Sequence, residues 1–406
     1  MKKTVTVIGL GYIGLPTSIV LAESEFDVFG YDKNLERIQT IISLESILSK
    51  EPQQLEKLIK VLGRNLHVDS KLIEAEVYLI VVPTPINNKV PDLSYVNQAV
   101  KSLIPILKSD DLVILESTSP VGTTEQISKQ IFEMRPELKN NIHIAYCPER
   151  VIPGNTFYEL EFNDRVIGGI NKTSSEKASS FYSHFVKGNL HETNSKTAEL
   201  CKLTENSYRD HQIAFANELS IICDEEEVNP FELIDLANKH PRISMLKPSC
   251  GVGGHCIAID PWFLISNYEN SQLIEKSRET NLNKTTWCID KIKSECLSFE
   301  SQNQRKPSLA LMGLSYKPNV DDFRESPALE IAKNLLQDQN YYQSIFVVEP
   351  NVDEVDDIQL CKEEDRYTNA DLIVFLVAHN EFEKIIKKVN SKSIIDFCGI
   401  NSKPNE

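Results

Sequence analysis

The chain has 406 residues, 41% of them hydrophobic and 25% charged, which is ordinary for a soluble globular protein of two or three domains. Its formal net charge of -16 argues against nucleic acid or an anionic membrane as the main partner, although a local group of amides and cations can still hold a small anion. The sequence contains no apolar run long enough for a membrane span or a signal peptide, and its nine scattered cysteines indicate a reducing, cytoplasmic location.

The first predicted elements are a strand, a tight turn and a helix. Residues 4–10 are apolar and β-branched, and a helix is predicted over Leu15–Ser24, before a second strand that ends at Asp32. Three glycines at the G-x-G-x-x-G spacing join them: Gly9, Gly11 and Gly14. In dinucleotide-binding folds these glycines serve a tight turn, the approach of the pyrophosphate and close helix packing, and an acid about 20 residues on binds the ribose.

Asp32 lies 18 residues beyond Gly14, so the pattern predicts a site for NAD. The neighbouring Lys33 leaves NADP as an alternative cofactor. A glycine turn that binds nothing is the alternative.

Further strand-like runs follow, at residues 77–85, 112–118, 142–149 and 165–169. They alternate with helical patterns, which predicts an α/β fold with a mostly parallel sheet.

Polar residues end three of these strands: Thr84, Thr118 and Glu149. Ligands of open α/β sheets bind beyond the carboxyl ends of the strands, so these side chains are predicted to face the cofactor cleft. The alternative is that they are turn and capping residues.

The pattern becomes helical after residue 195. The segment 196–226 lacks Gly and Pro and predicts a helix of roughly 45 Å, and helices are also predicted at 231–240 and 264–298. A polar linker is predicted at 299–306, before a second, smaller α/β domain. The predicted domains are therefore residues 1–195, 196–300 and 301–406.

The stretch CGVGGHCIAIDPWF, residues 250–263, suits a metal knuckle, a structural turn or a loop that presents a reactive thiol. Cys250 and Cys256 are six residues apart, and the sequence has no second Cys/His pair at the spacing that would complete a zinc site, so no metal is predicted. The glycines are expected to let a ligand approach the thiol of Cys256. Asp260, four residues on, would lie on the same side if a helix begins there.

One face of the long helix carries Lys202, Asn206 and Arg209 at the spacing i, i+4, i+7. A lysine and an asparagine one turn apart are suited to donating to a developing oxyanion. Polar residues on a solvent-exposed helix face can have the same spacing, so the helix alone does not distinguish a catalytic face from a solvent-exposed one.

Together these segments resemble the UDP-glucose/GDP-mannose 6-dehydrogenase superfamily over nearly the whole chain. The motifs that carry the resemblance are GLGYIGLP, VPTP, ESTSPVG, CPERVIPG, NDRVIGG, CKLTENSYRD, IAFANEL, HPR, GVGGHCIAIDPWF and GLSYKPNVDDFRESPALEI. Several of them are most similar to the UDP-N-acetyl-D-mannosamine dehydrogenase branch. The resemblance implies an N-terminal Rossmann-type NAD domain, a central long-helix dimerisation region and a C-terminal, smaller Rossmann-like domain that binds the UDP-sugar.

The resemblance also implies roles for individual residues. Those implied in catalysis are Cys256 as nucleophile, Lys202 and Asn206 as stabilisers of charge on the substrate oxygen, Asp260 and Thr118 as positioners and activators of water, and Glu149 as an acid. Those implied in NAD binding are Gly9, Gly11, Tyr12, Ile13, Gly14, Asp32, Thr84, Thr118 and Arg324. Those implied in substrate binding are Arg150, Val151, Lys202, Asn206, Arg209, His240, Arg242, Gly253, Tyr316 and Lys317, some of them donated across a dimer interface.

The activity so implied is a four-electron, NAD-dependent oxidation of the C6 alcohol of UDP-N-acetyl-D-mannosamine to the uronate, through a thiohemiacetal and a thioester on Cys256. The product would serve surface polysaccharide such as enterobacterial common antigen or capsule, made in the cytoplasm by a homodimer or larger homo-oligomer. Ile259 and Pro153 replace a lysine and a glutamate that are frequent in the wider family, which suits an N-acetylhexosamine substrate.

Four alternatives remain open from the sequence. Two are the same reaction on UDP-N-acetyl-D-glucosamine or on UDP-glucose. The third is a two-electron β-hydroxyacid dehydrogenase, which would need neither Cys256 nor the C-terminal domain. The fourth is a cofactor-binding protein without catalysis, which would not need Lys202, Asn206, Cys256 and Asp260 together.

Overall fold

The computed structural model describes residues 3–44, 52–151, 154–389 and 393–401, so Pro153 lies outside the described residues. The chain divides into two compact units. The first comprises Met1–Thr204 and Trp262–Asn267, and the second comprises Glu205–Pro261 and Tyr268–Glu406.

The first unit is built on an eight-stranded sheet. The strands along this part of the chain are β1 (Thr4–Ile8), β2 (Asp27–Tyr31), β3 (Leu66–Asp69), β4 (Val77–Ile80), β5 (Ile86–Asn87), β6 (Val90–Pro91), β7 (Leu112–Leu115), β8 (His143–Tyr146), β9 (Arg165–Gly169) and β10 (Leu190–Asn194). The sheet order is β10-β9-β8-β7-β4-β1-β2-β3, and β5 and β6 form a separate hairpin. The β8–β9 pair is antiparallel and the other neighbours in the sheet are parallel, as predicted.

Helices cover both faces of this sheet. They are α1 (Gly14–Glu23), α2 (Leu35–Ser43), α3 (Pro52–Val61), α4 (Ser94–Leu103), α5 (Thr123–Met134), α6 (Thr156–Phe162) and α7 (Lys172–Tyr182), with a 3-10 turn at Pro136–Leu138. Val5 and Val7 of β1 belong to a core cluster with α1 and α7, whereas Tyr78 and Ile80 of β4 belong to one with α4 and α5. Burial on both faces explains why these strands are continuously apolar.

A helix of 31 residues, α8 (Ser195–Glu225), leads out of the first unit, as the absence of Gly and Pro predicted. Further along the chain lie α9 (Pro230–Ala237), α10 (Asp260–Ile265), α11 (Gln272–Asn303), α12 (Pro327–Gln337), α13 (Glu364–Thr368) and α14 (Phe382–Ile386). The second unit contains a parallel sheet in the order β12-β11-β13-β14, formed by β11 (Ser308–Met312), β12 (Ser344–Val348), β13 (Leu372–Phe375) and β14 (Ser393–Asp396).

The predicted linker at 299–306 is wrong over its first part, because α11 continues to Asn303. Phe299 packs against the core of the second unit, so the last turn of the helix is anchored although its other residues are polar and exposed. The helix ends where Gln304 adopts the left-handed conformation, with φ 56°.

None of the helices within the described ranges combines the length and the apolarity that crossing a membrane requires.

A buried ion pair joins the two long helices inside the second unit. The Arg278 guanidinium of α11 lies 2.5 Å from Asp210 Oδ1 of α8, and both side chains are almost fully buried. Asn281 donates a further hydrogen bond of 2.8 Å to the same oxygen. Asp210 is therefore held by two donors from one face of α11.

Replacing Arg278 with methionine is expected to lower the free energy of unfolding by about 3–5 kcal/mol, because the Asp210 carboxylate would stay buried without its counter-charge. Urea unfolding of the two proteins measures this difference. Lys276→Met is the matched control on the same helix, because Lys276 pairs with Glu279 on the surface and its loss should have no measurable effect. Equal stability of Arg278→Met and the parent protein would contradict this account.

Candidate functional site

The glycine turn after β1 has the shape that its spacing predicted. Gly9 has φ +99° and donates its N–H to Tyr31 O at 2.8 Å, so the turn needs the left-handed conformation there. A Cβ on Gly14 would lie 1.8 Å from Gly9 O, whereas a Cβ on Gly11 would meet nothing within 4 Å. The start of α1 is thus pressed against the turn while the space above Gly11 is open. This cradle fits the pyrophosphate of a dinucleotide at a helix N-terminus.

The carboxylate of Asp32 is fixed at the end of β2. Its Oδ2 accepts the N–H of Leu10 at 2.9 Å, and its Oδ1 accepts the N–H of Asn34 at 2.9 Å. Asp32 therefore sits beside the glycine turn, where an acid can reach the ribose hydroxyls of a bound dinucleotide.

Two further residues predicted to bind cofactor lie in the same turn. Tyr12 is 40% exposed, with its hydroxyl 3.0 Å from Thr156 Oγ1, and Ile13 is half-buried.

Two of the strand-end residues lie on neighbouring strands. Thr84 follows β4 and Thr118 follows β7, and both are half-buried. Ser117 ties the two strand ends together, since its Oγ accepts the N–H of Val82 at 2.9 Å and donates to Val82 O at 2.8 Å. The strand-end threonines are thus placed at the same edge of the sheet as the glycine turn.

Glu149 is fixed by a partner that sequence reasoning missed. Arg165 of β9 donates to Glu149 Oε2 at 2.6 Å, and both side chains are nearly buried. The N–H of Arg150 donates to the other carboxylate oxygen at 2.6 Å. Both oxygens of Glu149 are therefore engaged from within the first unit, and Val151 follows as a half-buried residue.

A second carboxylate lies beneath this pair. Glu116, two residues before Thr118, is buried and accepts a hydrogen bond of 2.5 Å from the Tyr182 hydroxyl. Burial raises the pKa of Glu116 to about 7, even though Arg165 acts in the opposite direction. The motifs ESTSPVG and NDRVIGG contain Glu116 and Arg165, so the sequence offered the residues but not their pairing.

Lys202 lies on α8 in the first unit and is 8% exposed. No carboxylate or hydrogen-bond acceptor for its ammonium is found among residues 3–44, 52–151, 154–389 and 393–401. A buried lysine without a protein partner is suited to binding a negatively charged or polarised oxygen of a ligand.

In the second unit the thiol loop runs directly into α10. Cys256 is exposed, and its carbonyl accepts the N–H of Asp260 at 2.8 Å, so the two residues are one turn apart as predicted. Asp260 is 3% exposed and its Oδ2 accepts a hydrogen bond of 2.5 Å from Asn206 Nδ2. The structure thereby brings Asn206 and Asp260 together.

The glycines before Cys256 pack closely against the protein's own chain. A Cβ on Gly253 would lie 2.5 Å from Glu325 O and 2.8 Å from Tyr316 Cβ. Gly254, with φ +79°, faces the Tyr316 ring, and its N–H donates to Arg324 O at 3.0 Å. These glycines are required because the loop packs against the protein's own segment 316–327.

Arg324 lies close to the thiol loop. Its guanidinium donates to both oxygens of Asp322, at 2.9 and 2.5 Å. This hydrogen bond raises the pKa of Arg324, with smaller contributions from Tyr316 and Cys256. A fixed cation is therefore placed near the exposed thiol.

The other residues predicted to bind substrate in the second unit differ in exposure. Arg209, His240 and Arg242 are exposed, whereas Tyr316 and Lys317 are half-buried.

The other cysteine of the motif, Cys250, is packed in the interior of the second unit. Cys250 is 5% exposed, its Sγ lies 3.7 Å from Leu376 O, and burial raises its pKa to about 12. Only Cys256 of the two is placed for reaction with a ligand. In the part of the chain that the structure describes, no three His, Cys, Asp or Glu side chains gather as a metal ion would require.

Comparison with known families and proteins gives consistent results along the chain. Models of the UDP-glucose/GDP-mannose dehydrogenase family match in three parts, the NAD binding domain at residues 3–186, the central domain at 196–283 and the UDP binding domain at 310–403. The NDP-N-acetyl-D-galactosaminuronic acid dehydrogenase of Ralstonia nicotianae is 44% identical over 415 residues, covering 98% of this chain and 96% of the relative.

A second relative is the UDP-N-acetyl-D-mannosamine dehydrogenase of Escherichia coli strain K12, 44% identical over 419 residues, covering 98% of this chain and 99% of the relative. Among solved structures, a UDP-D-ManNAc dehydrogenase from Pyrococcus horikoshii matches with a TM-score of 0.88 at 36% identity. That match covers 99% of this chain and 96% of the other.

Proposed function

This chain belongs to the UDP-glucose/GDP-mannose dehydrogenase family, and from that membership we propose that it oxidises the C6 alcohol of UDP-N-acetyl-D-mannosamine to the carboxylate. The predicted family, the NAD cofactor and the class of enzyme are confirmed by these matches and by the dehydrogenase relatives. The observation that carries the proposed mechanism is the exposed thiol of Cys256, one turn before the buried Asp260, which Asn206 contacts.

The electron count requires two successive oxidations with an aldehyde between them. A primary alcohol loses four electrons on becoming a carboxylate, and two NAD molecules, bound in turn, would each take up two of these electrons as a hydride. We assign Cys256 to attack the intermediate aldehyde, which forms a C–S bond and a thiohemiacetal. The second oxidation converts this adduct to a thioester. Water then breaks the C–S bond, releasing the acid and returning the thiol.

Polar residues are assigned to the oxygen atoms of these steps. Lys202, buried and without a partner for its ammonium among the described residues, is suited to holding the substrate oxygen as negative charge develops. Asn206 shares this task and also donates to Asp260, which orients the carboxylate. Asp260 is assigned to take the proton of the attacking water, with Thr118 positioning that water, and Glu149 is assigned as an acid of the site.

Cofactor and substrate contacts are assigned to the residues already described. Gly9, Gly11, Gly14 and Asp32 form the cradle that suits NAD, and we assign Tyr12, Ile13, Thr84 and Arg324 to further NAD contacts. The residues assigned to the UDP-sugar are Arg150, Val151, Arg209, His240, Arg242, Gly253, Tyr316 and Lys317. The three domains assigned to these tasks are residues 1–195, 196–300 and 301–406.

We also propose a homodimer or a larger homo-oligomer. Tyr208, Phe215 and Ile222 of α8 are 61%, 55% and 50% exposed and recur every seven residues, which places them along one face of the helix. Three large exposed apolar side chains in a row suit an association surface. A second copy of the chain is the proposed partner.

We place the reaction in the cytoplasm and its product in the synthesis of surface polysaccharide, such as enterobacterial common antigen or capsule. The nine cysteines, all free, support a reducing compartment.

A second candidate substrate is a galacto-configured sugar nucleotide. The Ralstonia relative, an NDP-N-acetyl-D-galactosaminuronic acid dehydrogenase, and the E. coli relative are both 44% identical to this chain. Sequence identity therefore does not choose between the two hexosamines.

Product analysis with a panel of sugar nucleotides tests the proposal. The panel contains the UDP-linked N-acetyl forms of mannosamine, glucosamine and galactosamine, together with UDP-glucose, each with NAD and with NADP. We expect the manno substrate with NAD to give the uronate at the highest kcat/KM. A higher kcat/KM for any other sugar would overturn the substrate assignment, and a preference for NADP would overturn the role of Asp32.

A further inference from the structure

A cavity of about 470 Å³ lies within the second unit, away from every residue assigned above to catalysis, cofactor or substrate. Its walls come from the C-terminal end of α8, the start of α9, the middle of α11 and the edge strand β14. The volume lies inside the range of roughly 300–1,000 Å³ that is typical of sites for small molecules.

One lysine of the wall is almost completely buried. Lys284 of α11 is 2% exposed, and its ammonium donates to Ser220 Oγ at 2.9 Å. The Nζ atom also lies 3.6 Å from the centre of the Trp287 ring and 5.8 Å from that of Phe397. An ammonium has three N–H donors, and the described residues provide one hydrogen-bond acceptor and one close aromatic face. Lys284, which lines the cavity, therefore retains donor capacity that these partners do not use.

The other charges of the wall are already engaged. Lys291 lies 2.9 Å from Asp224 and 3.2 Å from Glu295. Asp396 accepts backbone N–H groups from the turn that follows β14, at Cys398, Gly399, Ile400 and Asn401. Within the described ranges, Lys284 is thus the wall cation that has no carboxylate partner.

We propose that this cavity is a binding site for a small monoanion, a carboxylate on a flat apolar body, whose carboxylate pairs with Lys284 and whose body lies against Trp287 and Phe397. Burying an ammonium is costly unless an anion or hydrogen-bond acceptors compensate it, and a carboxylate supplies both. Aromatic walls favour a flat apolar ligand.

The remaining charges of the wall bear on the charge of the ligand. Asp224 and Glu295 share a single lysine, so this part of the wall keeps excess negative charge, which repels nucleotides and other polyanions more strongly than a monoanion. We therefore expect UDP not to bind at this site.

The protonation of Lys284 agrees with this assignment. Burial lowers the pKa of Lys284 to about 8, against the raising effects of Cys288, Cys250 and Asp224. A carboxylate binds the charged amine, so its affinity should fall as the pH rises above about 8. The two cysteines stay neutral there, because burial raises the pKa of Cys250 to about 12 and that of Cys288 as well.

Fluorine NMR of the full-length protein labelled with 5-fluorotryptophan tests the site. The chain has two tryptophans, Trp262 and Trp287, so two resonances are expected, and Trp287→Phe assigns them. Titration with 2-naphthoate should shift the Trp287 resonance saturably and leave that of Trp262 in place. The neutral 2-naphthamide should bind at least about tenfold more weakly, because it lacks the charge-assisted pair with Lys284.

Variants on α11 provide the comparison. Lys284→Met should weaken 2-naphthoate binding by at least about tenfold, while Lys284→Arg keeps the positive charge and should retain measurable binding. Lys293→Met is the matched control, since Lys293 pairs with Asp338 outside the cavity, and should bind as the parent does. Thermal unfolding of each variant establishes that it is folded before titration.

Three results would overturn the proposal. The first is a Trp287 resonance that does not move saturably with 2-naphthoate up to about 10 mM. The second is equal affinity for 2-naphthoate in folded Lys284→Met and in the parent protein. The third is a saturable shift of Trp287 with UDP, which would remove the selection for a monoanion. Each of these readings is independent of dehydrogenase activity.

Discussion

Replacing Cys256 with alanine is expected to abolish formation of the uronic acid, with a loss of at least about 10⁴-fold in rate, because no thioester can form without the thiol. The exposed position of Cys256 just before α10 makes its sulfur accessible to an aldehyde, whereas Cys250 in the same motif is buried. The rate is measured by chromatography of the UDP-sugar products.

Cys361→Ala is the matched control for this change. Cys361 is a half-buried cysteine of the second unit to which no part of the reaction is assigned, so its replacement should leave acid formation unchanged. Acid production by Cys256→Ala at a rate near that of the parent would remove the covalent route.

Replacing Asp260 with asparagine should slow release of the acid by about 10²–10⁴-fold, because the proposed base for water is lost while its shape is kept. Asn206 Nδ2 donates to Asp260 Oδ2 at 2.5 Å, and an asparagine side chain retains an oxygen that can accept this bond. Both oxidations precede hydrolysis, so each active site of the variant should still complete both of them in its first turnover.

The expected signature is a covalent UDP-sugar thioester on Cys256, detectable by mass spectrometry of the intact protein. It should accompany a burst of two NADH per site and little further turnover. Asp338→Asn is the control, since this carboxylate pairs with Lys293 on the surface of the second unit. Normal turnover of Asp260→Asn, or a burst of one NADH per site, would show that Asp260 does not serve the hydrolysis step.

The first half of the fold could be predicted closely because its signals are local. The glycine spacing, the apolar strands and the acid at Asp32 fixed β1, α1 and β2 to within about two residues, since each depends on neighbours in the chain. The long helix was predicted for the same reason. The solved structures of the family confirm the predicted α/β fold class with its central helical region.

Errors arose where distant segments decide the outcome. The polar tail of α11 was predicted as a linker, because the packing of Phe299 against the core of the second unit is a tertiary contact that the local sequence does not show. The glycines at 253 and 254 pack against the segment around Tyr316, a contact between distant parts of the chain that their local sequence does not show. Neither contact can be predicted from the periodicity of apolar residues in the sequence.

The candidate site divides in the same way. Cys256 and Asp260 could be placed on one side of a turn because they are four residues apart. The pairing of Glu149 with Arg165, 16 residues on, and that of Asn206 with Asp260, 54 residues on, required the fold. The cavity around Lys284 could not be predicted from the sequence either, because its walls come from segments far apart in the chain.

The stoichiometry of the complete reaction tests the central mechanism most directly. The parent protein is incubated with a limiting amount of UDP-N-acetyl-D-mannosamine and excess NAD, and the NADH formed is compared with the sugar nucleotide consumed. Capture of the aldehyde on Cys256 predicts two NADH for every sugar nucleotide, with the uronate as the product. One NADH for each sugar nucleotide, with free aldehyde as the product, would contradict the mechanism.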